Sequence, residues 1–260
     1  MPRRSSYDPF PKVAPTPTEP VMVHLRRPPV DSVIRRHRHS WGQLNCPRFG
    51  SIRVSVPGTM WIVPRYRAVW IPPGIEHEVV MQGEVEFHAL YVEPTASPLP
   101  LDRCAVVEVS RLMRELVNAL ADDAIVQERR RRMAMSLLVE EIREAPSLPL
   151  GLPLPEERRL RALCMAMMED PGSENTLQDW APIVGASART LARLFHTELQ
   201  TSFGIWRRQL RLARAIDLIG RNVPLADVAT EVGYANAPAF STMFRSALGF
   251  PPSHLCNVST

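Results

Sequence analysis

No uninterrupted apolar run in these 260 residues approaches the roughly 18 that a helix needs to cross a bilayer. Behind Arg3 and Arg4 there is no apolar segment, which excludes a signal peptide. These two absences predict a cytoplasmic protein with no membrane partner. The four cysteines, Cys46, Cys104, Cys164 and Cys256, are scattered and form no C-x-x-C pair. That argues against a zinc finger and a disulfide framework, and for free thiols in a reducing compartment. Acids are scarce in one stretch. Over residues 185–222, Arg189, Arg193, Arg207, Arg208, Arg211, Arg214 and Arg221 stand against only Glu198 and Asp217. A solvated helix face would interleave acids with its arginines, so this local excess reads as an electrostatic footprint for phosphate.

What is present fills two domains of an ordinary globular composition, 45% apolar and 22% charged. Residues 1–20 hold six prolines and almost no apolar pattern, and read as a disordered or extended tail. Over 21–95, short runs rich in Val, Ile and Trp (53–56, 60–63, 68–71, 79–81, 85–92) are separated by Gly and Pro turns. This predicts a small antiparallel barrel or jelly roll. Residues 108–145 read as two helices, the first carrying Leu112, Leu116 and Leu120, the second Met133, Leu137 and Ile142. The arginines of 129–132 open the second helix and read as a solvated start. Pro146, Pro149, Pro153 and Pro155 mark 146–155 as a linker. A further helix with Leu160, Leu163 and Met167 opens the C-terminal domain, 156–256.

Within that domain, two stretches share one grammar at about 177–198 and 225–248. Each is a short apolar-periodic helix, a turn at Gly185 or Gly233, and a second helix with apolar residues four apart, Leu191 and Phe195 or Phe240 and Phe244. This is a double helix-turn-helix. Between them Phe203, Trp206, Leu210 and Ala213 share one helical face, while Arg207, Arg211 and Arg214 line another. The eighteen-residue rod, about 27 Å long, holds the two second helices over successive major-groove turns about 34 Å apart. Pro182 inside the first helix predicts a kink there.

Thr176 and Asp179 form a capping pattern, and Ser187 can cap the first recognition helix. Its outward set is Ser187, Arg189, Thr190, Ala192, Arg193 and His196. Arg189 and Arg193 are four apart, hence on one face, and are the candidates for bidentate guanine readout. Phosphate contact competes as the role of one of them. The second recognition helix opens at Asn236, with Pro238 in its first turn. Its outward set is Asn236, Ala237, Ala239, Ser241, Thr242 and Arg245. These short side chains suit phosphates and thymine methyls, so specificity is weighted to the first unit.

The arrangement resembles the AraC/XylS family of bacterial transcription regulators over about residues 157–256. The run from Val232 through Gly233, Tyr234, Phe240, Phe244, Gly249 and Pro252 is similar to that family's most specific signature. Gln200 departs from it, standing where the family usually has the Gly that ends the recognition helix. Further upstream, His37-Arg-His39-x-x-x-Gln43, followed by Gly50, and Pro72-Pro-Gly74-Ile-Glu-His77 resemble the two cupin motifs, with Gln43 where metal-binding cupins have Glu. His37 and His39, at i and i+2, face one side of a strand. With Gln43 and His77 they form either a site for a divalent metal or the polar floor of an effector pocket. Arg35, Arg36 and Arg38 read as a solvated outer face.

The fold these readings imply is α+β in two domains: an N-terminal antiparallel cupin-like barrel plus helices, then an all-α double helix-turn-helix domain. The function implied is a sequence-specific regulator binding promoter DNA and answering a small-molecule effector. The family resemblance adds a homodimer contact through the helices of 108–145, against the alternative that they only cover the barrel's open edge, and RNA polymerase as partner where the outcome is activation. No catalytic role is assigned. Two other readings stand beside this one, a cupin metalloenzyme and an effector-independent DNA-binding protein.

Overall fold

A computed structural model describes residues 5–7, 14–122, 127–148 and 151–253. The expectations for 1–4, 8–13, 149–150 and 254–256, Cys256 included, lie outside these residues. The chain divides into two compact units, residues 1–57 with 61–149 and residues 58–60 with 150–260.

The first unit is an antiparallel sheet: β1 (Val21–Arg26), β2 (Val33–His37), β3 (Gly42–Val56), β4 (Thr59–Pro64, whose first two residues fall in the second unit), β5 (Arg67–Ile71), β6 (His77–Val92) and β7 (Ala105–Glu108). β6 is its spine. Its first residues pair with β2, its last with β1, and its whole length with β3. The apolar runs 79–81 and 85–92 thus belong to one strand, which passes through Gly83 at φ 77° rather than ending there. β3 is also longer than its apolar run suggests, because Pro47 and Gly50 bend the strand without breaking it. The register slips on both sides of Phe49, and a Cβ on Gly50 would lie 2.2 Å from the Glu84 carbonyl oxygen. Only glycine fits that bulge.

α1 (Arg111–Ala121) and α2 (Glu128–Glu144) cover one face of the sheet. Leu44, Trp70, Leu90 and Val92 meet Met113, Val117, Leu120, Met135, Leu138 and Ile142 there. Each fully buried side chain of this kind contributes about 1.5–3 kcal/mol. The expected stripes were offset by one residue. Leu112, Met133 and Leu137 are 47%, 62% and 44% exposed, whereas Met113, Val117, Met135 and Leu138 are buried. The stripes 112/116/120 and 113/117/120 lie side by side on a helix and share Leu120, so periodicity alone does not separate them; the sheet does.

The tail is not wholly free. Ser6 bridges Val33, with Tyr7 N–H donating to the Val33 carbonyl at 2.9 Å, because the edge of β2 offers unpaired backbone groups. In the proline-rich 146–155 stretch, β8 (Ser147–Leu148) pairs with β7. In the second unit, β9 (Leu152–Pro153) pairs with Thr59 and Met60. Cys46, Cys104 and Cys164 are free thiols, and burial pushes all three above the ordinary thiol range.

The second unit is helical: α3 (Arg158–Glu169), α4 (Leu177–Val184), α5 (Ala188–Leu199), α6 (Phe203–Gly220), α7 (Leu225–Glu231) and α8 (Ala237–Leu248). Phe195 packs on Phe203 and Trp206 at ring distances of 5.6 and 6.2 Å, with Leu160, Leu163, Met167 and Leu191 buried around them. Phe240 and Phe244, 5.6 Å apart, do the same for the second helix-turn-helix. α4 continues through Pro182 and ends at Gly185, φ 71°. No helix of the described residues is long and apolar enough to cross a membrane.

Candidate functional site

The second unit presents two helix N-termini whose caps are built in. Thr176 and Asp179 form a reciprocal capping box on α4. The Ser187 hydroxyl accepts from Thr190 N–H at 3.1 Å and also contacts the Thr190 hydroxyl at 2.9 Å, so both side chains are partly committed to opening α5. Leu191, Phe195 and Leu199 bury the inner face of α5; Leu194 is half-buried. Arg189, Arg193 and His196 stand exposed on the outer face, with Ala192 half-buried between the two arginines. A shallow hollow of about 500 Å³ is lined by Thr176, Gln178, Arg189, Ala192 and Arg207, among others.

On α8 the outward residues are short and several are internally engaged. The Asn236 carboxamide oxygen caps the helix, accepting from Ala239 N–H at 2.9 Å. The Thr242 hydroxyl donates to the Pro238 carbonyl at 3.0 Å. Ala237 and Ser241 are half-buried; Ala239 and Arg245 are exposed.

The arginine-rich stretch is less of a footprint than its composition suggests. Arg211 is buried and donates to the carbonyls of Pro171, Gly172, Ser173 and Gly233 at 3.0–3.2 Å. It ties the approach to α4 to the turn of the second helix-turn-helix. A Cβ on Gly233 would lie 2.5 Å from the Arg211 guanidinium, so glycine serves both the left-handed turn, φ 73°, and this close approach. Asp217 is buried and accepts from Arg214 and Arg221 at 3.1 and 3.2 Å. Arg214 also pairs with Glu231 at 3.1 Å. Arg207 is half-buried, donating to the Asn175 carbonyl at 3.3 Å. Of the seven arginines, Arg189, Arg193 and Arg208 remain exposed and outside these contacts.

In the first unit, β2 and β6 set His37 directly opposite His77. His39 lies just past the end of β2, where Gly74 N–H donates to the His39 carbonyl at 2.8 Å and holds the 72–77 turn beside it. The ligand atoms of the three imidazoles lie within 4.8 Å of one another. Each ring is oriented in the same way: Nδ1 meets a backbone carbonyl two residues away, Arg35 for His37 (2.7 Å), Trp41 for His39 (2.7 Å) and Ile75 for His77 (2.9 Å). Gln43 Oε1 stands 2.6 Å from His39 Nε2, and Gln43 Nε2 donates to Asn45 Oδ1 at 2.8 Å. The buried atoms His77 Nε2 and Asn45 Nδ2 have no hydrogen-bond partner. Burial pushes His77 down to about 3, with His37 and His39 adding to the effect, and burial lowers His39 as well. Arg35, Arg36 and Arg38 are exposed around this cluster, Arg36 within 3.6 Å of Glu76.

Sequence reasoning named His37, His39, Gln43 and His77, which converge here. It missed Asn45, although i+2 from Gln43 on a strand is the same-face position. It also missed Trp41, stacked on His39 at 5.0 Å. Two further buried polar residues carried no motif. His88 is pushed down to about 4 by burial, then by Arg48. Arg67 is 1% exposed, with Glu108 at 3.8 Å and with Nε and Nη2 lacking partners.

Comparison with known proteins agrees with both units. An AraC-like ligand binding domain family matches residues 19–139, and a helix-turn-helix domain family matches residues 180–257. The HTH-type transcriptional regulator NimR of Escherichia coli K12 is 34% identical over 218 residues, 83% of this chain and 80% of NimR. The HTH-type transcriptional regulator RipA of Corynebacterium glutamicum is 35% identical over 101 residues, 39% of this chain and 30% of RipA. Among solved structures, an AraC-type DNA-binding domain-containing regulator from Chromobacterium violaceum is 26% identical. That match covers 38% of this chain and 89% of the other, with TM-score 0.36.

Proposed function

The chain belongs to the AraC/XylS family of transcription regulators, and from that premise we propose how its parts divide the work. It is a DNA-binding regulator with a ligand-binding domain. Residues 21–95 with 108–145 form the sensing part, and residues 156–256 the part that reads a promoter. α5 and α8 are the recognition helices. Ser187, Arg189, Thr190, Arg193 and His196 face DNA from the first, and Asn236, Ala237, Ser241, Thr242 and Arg245 from the second. Arg189 and Arg193 supply base readout; the second helix positions the unit on phosphates.

The observation that carries this reading is the contrast within one arginine-rich stretch. Arg211, Arg214 and Arg221 are held by carbonyls and carboxylates of their own unit, while Arg189 and Arg193 stand exposed on α5. The His37, His39, Gln43 and His77 cluster is the seat of the effector response. The exposed Leu112, Met133 and Leu137 support a homodimer through α1 and α2. The protein works in the cytoplasm, contacts RNA polymerase where it activates, and has no catalytic role.

Selection of bound sequences from random DNA with the full chain tests the core of this. The expected result is one enriched site with two contact blocks about one helical turn apart. Recovery of unenriched sequence, with binding governed by salt alone, would leave an architectural protein instead.

A further inference from the structure

We propose that Arg67 anchors a site for a small-molecule monocarboxylate, whose two oxygens accept from its Nε–H and Nη2–H. The first argument is placement. On β5, Ala68 and Trp70 pack with α1 and α2, so Arg67, Val69 and Ile71 face the other side of the sheet. Gln43 and Asn45, paired with Ile71 and Val69, share that face. Asn45 and Arg67 are thus diagonal neighbours across β3 and β5, a separation that a long side chain spans. Arg67 is only 1% exposed there, a depth at which a charge needs partners.

The second argument is an incomplete set of bonds. Arg67 Nη1 donates to the Tyr66 carbonyl at 2.7 Å. Glu108 lies 3.8 Å from the same nitrogen, near enough to offset charge but too far to hydrogen-bond. Nε and Nη2 have no partner among the described residues. These two nitrogens form one edge of the guanidinium, and their parallel N–H bonds are the fork that a carboxylate matches. Burial lowers the Arg67 pKa against the pull of Glu108. An anion on that edge satisfies both donors and neutralises the buried cation. Positive charge is in excess nearby: Arg65 and Arg114 lie over the Tyr66 ring at 4.3 and 5.5 Å, and the buried Arg65 Nε lacks a partner. Glu108 limits the ligand to one negative charge, because a phosphate dianion would meet it beside the same guanidinium. Its side chain is 32% exposed, so the site reaches solvent there. Glu108 N–H also donates to the Pro146 carbonyl at 3.0 Å. An occupant that alters the Arg67–Glu108 pair therefore acts where the 146–155 stretch begins. As a ligand class for the sensing part, this rests on the function proposed above.

The test is thermal melting of the full chain at fixed ionic strength, with acetate or benzoate set against chloride, phosphate and acetamide. Acetate is a carboxylate and almost nothing else, so it needs no fit beyond the fork. At about 10 mM both carboxylates should raise the melting temperature above the chloride control, as ligands of the folded state do. Acetamide, which has no charge, should not. Arg67→Met, of similar length and uncharged, should fold and lose the response. Glu108→Gln removes the competing acid and should bind acetate about 5-fold more tightly; it carries the test should Arg67→Met not fold. No rise with either carboxylate, or a full rise in Arg67→Met, would overturn the proposal. So would a phosphate response of equal size that Arg67→Met abolishes, or acetate binding by Glu108→Gln no tighter than by wild type. Arg67 would then be a structural partner of Glu108 and Tyr66. Carboxylate binding is read on the protein alone, whereas effector sensing is read on a promoter reporter, so either can fail without the other.

Discussion

Arg211 in the second unit and the histidine cluster in the first are both buried polar groups, and they differ in how fully they are satisfied. Arg211 places three of its nitrogens on four backbone carbonyls. Around the histidines, His77 Nε2 and Asn45 Nδ2 have no partner, and His39 Nε2 faces Gln43 Oε1 at 2.6 Å. A buried group left unsatisfied costs about 1–3 kcal/mol, more when charged, so a fold tolerates it where something else is to bind. The complete network is architecture; the incomplete one is the candidate site.

The largest way to break this comparison is Arg211→Ala. It leaves four carbonyls without their donor and should destabilise the second unit by about 3–5 kcal/mol, read as a lower denaturation midpoint and loss of DNA binding. Arg211→Lys should rescue little, because one ammonium cannot span the fork. A variant melting like wild type would show that Arg211 is not structural.

Acid separates the two regions next. His77 and His88 have folded pKa values near 3 and 4, below the ordinary value of 6.5. Between those limits the unfolded chain binds protons that the native chain does not. Their contribution is therefore complete above pH 6.5 and is lost as pH falls toward 4 and then 3. For ion-free protein at pH 5 the loss is about 2 kcal/mol per histidine. Melting of the first unit should fall accordingly, and His88→Phe should flatten the slope. A pH-independent melting temperature between 7 and 5 would refute this.

These differences mark the limit of what the sequence made legible. Strong periodicity announced the paired helix-turn-helix units, and Phe195, Trp206, Phe240 and Phe244 are buried as expected. Arg211 was misread as part of a basic face with Arg207 and Arg214. Its acceptors lie 22 to 40 residues away, and no local pattern records them. The histidine cluster was legible because i,i+2 spacing and a hairpin separation are local signals. Asn45 and Arg67 were not singled out, since one buried polar residue in a strand has no period. The offset stripes of α1 and α2 failed for a related reason: adjacent faces share residues, and the sheet behind them decides.

Within the second unit, α5 and α8, the proposed recognition helices, give a finer contrast. Arg193→Ala should cost about 1–3 kcal/mol on the specific site and relax preference at one base pair. Arg245→Ala should weaken all sequences alike and lower the salt slope by about one. Competition binding at several salt concentrations distinguishes them. Equal loss on every sequence for Arg193→Ala would make it a phosphate contact and remove the asymmetry between the helices.

The smallest effect concerns the end of α5. Gln200 closes that helix in the left-handed conformation, φ 51°, with its backbone N–H donating to the Phe195 carbonyl. A residue with a Cβ is strained there, and glycine is the usual solution. The Gln200 side chain offsets part of the strain by donating to the Thr197 carbonyl at 3.1 Å. Gln200→Gly removes the strain and that hydrogen bond, and gives the unfolded chain more freedom. The balance should be a stabilisation of less than about 1 kcal/mol, seen as a small rise in denaturation midpoint with DNA affinity unchanged. α8 provides the internal standard, since it already ends at Gly249, φ 81°. Gly249→Gln should therefore destabilise by a comparable or larger amount. If both substitutions lower the midpoint, the Thr197 contact outweighs the strain, and the glutamine is the better cap for α5.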